Sequence, residues 1–171
     1  TQAVKLTLAD RLQRAEKCFG LITTSYGISI NTGQVPGNIQ IGPLHEAELY
    51  AIFLNVLSNS IKSVIAAGKT KEVEITAERI GKEAVVNIRD TGLGVRADIR
   101  EEVFTPFVAD PNNRLYAALD SRLNPEDRFI IGTGSGLGLG IVKEIVGARN
   151  GSIKFLEPKG KWKADLEIRI P

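Results

Sequence analysis

Apolar residues at Val4, Leu8, Leu12, Ala15, Phe19 and Ile22 recur at near-helical spacing and predict one helix over residues 4–24. Gly27, Gly33, Pro36 and Gly37 break that pattern. Two short apolar runs lie among these breakers, Ile28–Ile30 and Asn38–Ile41, and both read as strands. After Gly42-Pro43 comes the strongest helical pattern of the chain, over about 44–66, with Leu49, Phe53, Val56, Leu57, Ile61 and Val64 as its apolar face and Gly68 as its stop. The period then drops to two. Val73, Ile75 and Ala77 share one face of a first strand, and Ala84, Val86 and Ile88 share one face of a second, so the two form an antiparallel pair with one buried side.

From 108 to 131 the chain is polar and irregular, a long structureless run for a compact domain and therefore a lid or binding loop, or else a plain insertion. A glycine cluster follows, then a helix over about 137–149 closed by Asn150-Gly151, then a terminal hairpin from Ser152–Leu156 and Ala164–Ile170. Helices and strands mix without strict βα alternation. The expected fold is therefore α+β, a two-layer α/β sandwich with a mixed, mostly antiparallel sheet covered by helices on one face, and not a doubly wound sheet.

Composition narrows the function classes. The 171 residues suit one domain, here residues 1–171, with enough core to need no metal or disulfide staple. Twenty-two basic residues against twenty acidic ones leave +2, with the signs interleaved, which is no nucleic-acid footprint. No apolar run approaches the ~20 residues that cross a bilayer, so no direct membrane contact is expected. One cysteine, Cys18, cannot close an internal disulfide and fits a reducing compartment; the expected location is cytoplasmic, whether or not a parent protein is membrane-anchored. Methionine is absent, so the sequence is expected to be a piece of something longer.

Four segments carry candidate chemistry. On the second helix Asn55 and Asn59 stand one turn apart, with Lys62 on the next turn. An amide carbonyl is a hard oxygen ligand suited to Mg²⁺ and a lysine suits phosphate, although the same three residues also read as a solvated stripe. Asp90 continues the buried face of its strand, so its carboxylate points inward and needs a donor such as an adenine amino group. Gly92 and Gly94 would let backbone pass close to a flat base, and an ordinary Asp-x-Gly turn is the alternative. The run Gly132-Thr133-Gly134-Ser135-Gly136-Leu137-Gly138-Leu139-Gly140 leads into a helix N-terminus, an arrangement that suits phosphate. No window fits G-x-G-x-x-G, and Gly68-Lys69-Thr70 follows a helix where a Walker loop would precede one. Phe104-Thr105-Pro106-Phe107 opens the polar stretch, two aromatics at the root of the loop.

Together, in this order, these segments resemble the ATP-binding domain of the GHKL superfamily of gyrase, the heat-shock chaperone, histidine kinases and mismatch-repair ATPases. Within it, the match is to the catalytic domain of sensor histidine kinases. Leu54–Lys62 is similar to the N box, Asp90–Gly94 to the G1 box, Phe104–Phe107 to the F box and Gly134–Lys143 to the G2 box. The resemblance implies a Bergerat-type sandwich. It also implies ATP and Mg²⁺ as cofactors, Asn59 as the metal ligand and Asp90 as the adenine reader. Gly92 and Gly94 would shape the base pocket, Lys62 and the backbone of Gly134, Ser135, Gly136, Leu137 and Gly138 would hold phosphates, Phe107 would also contact the cofactor, and a lid would span about 108–133.

Hydrolytic relatives carry a glutamate one turn before the metal asparagine, where this chain has Asn55. An amide cannot deprotonate water, so the resemblance implies phosphoryl transfer, with Asn55 orienting an incoming imidazole. The expected partners are a dimerisation and histidine phosphoacceptor domain and, downstream, a response regulator. The alternatives are an ATPase whose nucleotide closes a dimer, and a nucleotide-regulated binding module without transfer. His45, the only histidine, is expected to start the N-box helix and not to accept phosphate. Arg114, Arg122 and Arg128, in the loop, are expected to face solvent.

Overall fold

The computed structural model describes residues 2–105, 122–127 and 138–171. The chain starts with a strand, β1 (Val4–Thr7), followed by α1 (Leu8–Lys17), α2 (Gly20–Tyr26), β2 (Ser29–Gln34), β3 (Gln40–Leu44) and α3 (Glu46–Ala67). Then come β4 (Glu72–Ile80), β5 (Glu83–Asp90), two 3₁₀ turns at Ala97–Ile99 and Glu102–Phe104, α4 (Gly138–Ala148), β6 (Ser152–Leu156) and β7 (Ala164–Ile170).

The predicted helix over 4–24 is thus three elements. Residues 4–7 pair with β3 as a small antiparallel sheet, and Leu6, not Val4, is the buried residue, Val4 being half exposed. The chain turns at Cys18-Phe19, ahead of Gly20, a poor helix former. The helical period conceals the break because Leu8, Leu12, Phe19 and Ile22 all still face the core.

Elsewhere the elements lie where the pattern puts them. The main sheet has the order β2-β4-β5-β7-β6, with only the β2–β4 pair parallel. Its inner face carries Val73, Ile75, Ala84, Val86, Ile88 and Ile168, all buried against the helices. Its outer face is a lattice of charges, with Arg89 bridging Glu74 (3.2 Å) and Asp165 (3.1 Å) across three strands. This is the expected two-layer sandwich.

The helix α3 runs through the core. Against the expectation that no apolar stretch reaches membrane length, its 22 residues are long and apolar enough to cross a bilayer by length and composition; most of it is buried inside the domain, Lys62, Ser60 and Ser63 included. Gly68 ends it in a left-handed conformation (φ 67°) that a side chain would disfavour. At the other end the Glu48 carboxylate accepts the His45 N–H (2.9 Å), so His45 starts the helix as expected.

Candidate functional site

The site is built where α3 crosses the end of the central strand β5. Asp90 closes that strand, paired with Val73 on one side and Ala164 on the other, which leaves its side chain on the inner face. It is 5% exposed. Its Oδ1 accepts the Gly92 N–H (2.9 Å), and the Ser60 hydroxyl on α3 donates to it. Burial nevertheless outweighs both donors and pushes the carboxyl up to about 6. A buried carboxylate with this history is one donor short of being well satisfied, and a ligand amino group is a suitable donor.

The turn after Asp90 is pressed onto α3. The Ser63 hydroxyl accepts the Leu93 N–H (2.8 Å), and a Cβ at Gly92 would lie 2.1 Å from Ser63 Oγ and 2.6 Å from its carbonyl carbon. Gly94 takes a left-handed φ of 76°, with the Lys163 carbonyl 2.8 Å from where its Cβ would be. Thr91 ties the turn to the start of β4: its hydroxyl donates to the Thr70 carbonyl (2.6 Å) and accepts the Glu72 N–H (3.0 Å). These two glycines therefore serve close backbone packing as well as access.

Along the same helix Asn55 and Asn59 are half-buried and Lys62 is 6% exposed. The Asn55 Nδ2 donates to the Ala51 carbonyl (2.7 Å), which leaves its Oδ1 facing the start of α4; a Cβ at Gly138 would come within 2.8 Å of that oxygen. Among the described residues the Asn59 side chain makes no hydrogen bond, so a half-buried amide oxygen is available to a ligand. Burial pulls the Lys62 ammonium below its ordinary pKa, a cost that anionic oxygens nearby would offset. A buried carboxylate at one end, an available amide oxygen and a buried cation in the middle, and a glycine-led helix start at the other form a set of groups that fits a Mg-nucleotide.

The structure thus brings Asp90, Gly92 and Gly138 against α3, which carries Asn55, Asn59 and Lys62, whereas Gly94, in the same turn, packs on Lys163. Phe107, Gly134, Ser135, Gly136 and Leu137 lie outside the described residues, as do Arg114 and Arg128. Phe104 is described. It stacks on Phe155 (centroids 5.7 Å apart) under the Lys143 ammonium (5.6 Å), which seats the start of the loop between α4 and β6. A cavity of about 680 Å³ beside Phe104 and Lys143, walled by Arg100, Ile153 and Phe155, shares no lining residue with the site.

Arg122 is exposed, as expected, and its guanidinium also caps the end of α3, donating to the carbonyls of Ile65 (3.1 Å) and Ala66 (2.6 Å). Ser60 and Ser63, which hold Asp90 and its turn, are functional residues that the sequence reading missed. Their only signal was a pair of hydroxyls three residues apart among buried apolar positions of α3.

Residues 45–171 match the family model "Histidine kinase-, DNA gyrase B-, and HSP90-like ATPase". The chain belongs to this family. It is similar to the sensor protein kinase PmrB of Pseudomonas aeruginosa, with 37% identity over 125 residues, 71% of this chain and 21% of that protein. It is also similar to the sensor histidine kinase RppB of a Synechocystis strain, with 30% identity over 74% of this chain and 24% of the relative. The chain therefore spans about a quarter or less of the length of these relatives. The solved structure of the mycobacterial sensor histidine kinase MprB shares the fold, with a TM-score of 0.70 at 22% identity, covering 99% of this chain and 97% of that one. That likeness extends over the α1–β3 region, which precedes the family model's match. The domain is thus a histidine kinase-type ATPase domain, and ATP binding goes with that family.

Proposed function

We propose that this domain binds Mg-ATP and donates the γ-phosphoryl group to a histidine on a separate dimerisation and phosphoacceptor domain, as one step of two-component signalling with a response regulator downstream. The observation that carries the reading is the buried Asp90, held by Ser60 at one end of a polar stripe on α3 whose Asn59 oxygen has no partner among the described residues.

In this reading Asp90 accepts a hydrogen bond from the adenine amino group, and the turn through Gly92 and Gly94 lies along the base. The Asn59 oxygen holds Mg²⁺, which when bound would neutralise charge on the phosphate oxygens. Lys62, with the segment from Gly134 to Gly138, holds the phosphates. Phosphoryl transfer needs little covalent help from the protein, so positioning and charge stabilisation are the contributions these residues make. The bond from γ-phosphorus to the bridging oxygen breaks, a phosphorus–nitrogen bond to the imidazole forms, and ADP leaves with the electron pair. Asn55 is an amide without basicity, already donating to Ala51, so it can orient an imidazole but cannot activate water. Slow hydrolysis follows. The exposed, free Cys18 is compatible with the cytoplasmic setting proposed here.

Calorimetric titration of the 171-residue chain with Mg-ATP, beside Asp90→Asn, tests the binding step. Saturable binding that Asp90→Asn weakens by at least tenfold supports it, and equal affinity removes the adenine assignment. Incubation of the domain with labelled ATP and a dimerisation domain bearing a histidine tests the transfer. Label that stays in ATP or appears as free phosphate would overturn it.

A further inference from the structure

The segment 122–127 lies inside the stretch expected to be a lid, a binding loop or a plain insertion, and it is bound to the molecule at several points. The Arg122 guanidinium caps α3 at the carbonyls of Ile65 and Ala66, two of the groups a helix leaves open at its C-terminus, where a positive charge is also favoured. A Cβ at Gly68 would lie 2.1 Å from the same nitrogen, so any larger residue there would push the guanidinium off the helix end. Leu123 is 5% exposed and belongs to the core. The Tyr26 hydroxyl, at the end of α2, accepts the Asn124 N–H (3.0 Å) and donates to Asp127 Oδ2 (2.7 Å).

What this segment clamps is the last part of α3, and that part supports the base-reading turn. Ser60 donates to Asp90, and Ser63, one turn before Ala66, accepts from Leu93. Just past the helix the Thr70 carbonyl accepts the Thr91 hydroxyl. Fraying of the last turn of α3 would release Ser63 first and with it the closure of the 90–94 turn. We propose that Arg122 and Tyr26 are positioning residues for base recognition: they lock the C-terminal turn of α3 so that Ser60 and Ser63 hold Asp90 and its turn in binding shape. This rests on the nucleotide reading above.

A clamp acting on the base turn weakens every adenine nucleotide by one common factor, whereas one acting on phosphates weakens ATP more than ADP. Titrations of the 171-residue chain with Mg-ATP, ADP and adenosine are therefore compared across Arg122→Ala, Arg122→Lys and Tyr26→Phe. Arg122→Ala loses about tenfold for all three ligands, Tyr26→Phe about threefold, and Arg122→Lys, which keeps a charged donor, recovers most of the loss. Amide hydrogen exchange without nucleotide gives a second readout: the Leu93 amide exchanges faster in Arg122→Ala, while amides in the centre of β5 and β7 do not. Unchanged affinities, a loss confined to ATP, or unchanged Leu93 exchange would each overturn the clamp. If the unaltered chain binds no ATP, the proposed function fails, and the exchange comparison still reports whether Arg122 controls the turn.

Discussion

Asp90 is a residue whose proposed binding role and structural cost conflict. In the folded domain its carboxyl keeps the proton up to about pH 6, against 3.8 for an ordinary aspartate. Between those values the folded state holds more protons than the unfolded chain, so stability falls as pH rises through the window. Above it the buried charge costs on the order of 3 kcal/mol. Asp90→Asn removes the charge, and its amide oxygen can still accept from Gly92 and Ser60. The expected result is a nucleotide-free domain that is more stable at pH 7.5, with a flatter stability profile between pH 4 and 7, as urea unfolding across that range would show. Binding has the opposite dependence. A donor from adenine favours the ionised carboxylate, so ATP affinity of the unaltered chain declines as pH drops below about 6, and Asp90→Asn loses that inflection. Gly92 presents a purely steric case. Its missing Cβ would meet the Ser63 hydroxyl and also backbone carbon, and backbone cannot swing aside. Gly92→Ala should therefore lower the unfolding midpoint and nucleotide affinity together, and adding Ser63→Ala should restore only part of either. A full rescue in thermal melts and titrations of the double variant would show that the hydroxyl alone set the fit.

Among the elements, α3 and α4 carry the site between them, and their relative placement depends on contacts at both ends of the pair. Gly138 abuts Asn55 at one end. At the other the Arg149 guanidinium makes a two-pronged bond to the Glu48 carboxylate, Nε to Oε2 at 3.0 Å, and this holds the carboxyl below its usual range. A depressed carboxyl contributes stability above its unfolded-state value that is lost as pH falls through the folded one. The pair is partly exposed, so its contribution is small and is screened by salt. Arg149→Ala should lower the unfolding midpoint by a few degrees in dilute buffer and by less in 1 M salt, a difference that melts at the two ionic strengths would register. The elements themselves were legible in the sequence wherever one period ran undisturbed between stops, as in α3 up to Gly68 and in the β4–β5 pair. The first 26 residues were not. Four residues of strand offer too few alternations to outweigh a helical spacing that continues through the bend at Phe19, and pairing with β3 was decided by residues more than thirty positions away.

At the level of the whole molecule, the site was readable to the extent that each box keeps its residues contiguous. Asn55, Asn59 and Lys62 sit on one helix, and Asp90, Gly92 and Gly94 on one turn, so spacing alone places them together. The supports escaped because they join distant positions through single hydroxyl or guanidinium contacts. Ser63 meets Leu93 and Arg122 meets Ala66, and neither contact leaves a period in the sequence. Such links make the fold and the site one cooperative unit, in which a ligand held between α3 and the end of β5 stabilises the entire domain. A ligand that binds only the native state at a hundred times its Kd adds about 2.7 kcal/mol. For a chain of this size that raises the unfolding midpoint by roughly 5–11 °C. Mg-ATP should produce a shift of this order, and Asp90→Asn, binding at least tenfold more weakly, should show about half of it or less at the same concentration although its unliganded midpoint is the higher of the two. Chelating the metal should shrink the ATP shift, and Asn59→Ala should show the shrunken value with or without the chelator. Those two crossings separate a base contact from a metal contact in one set of melts. An Asp90→Asn domain that still gained the full shift would show that its carboxylate does not read the base.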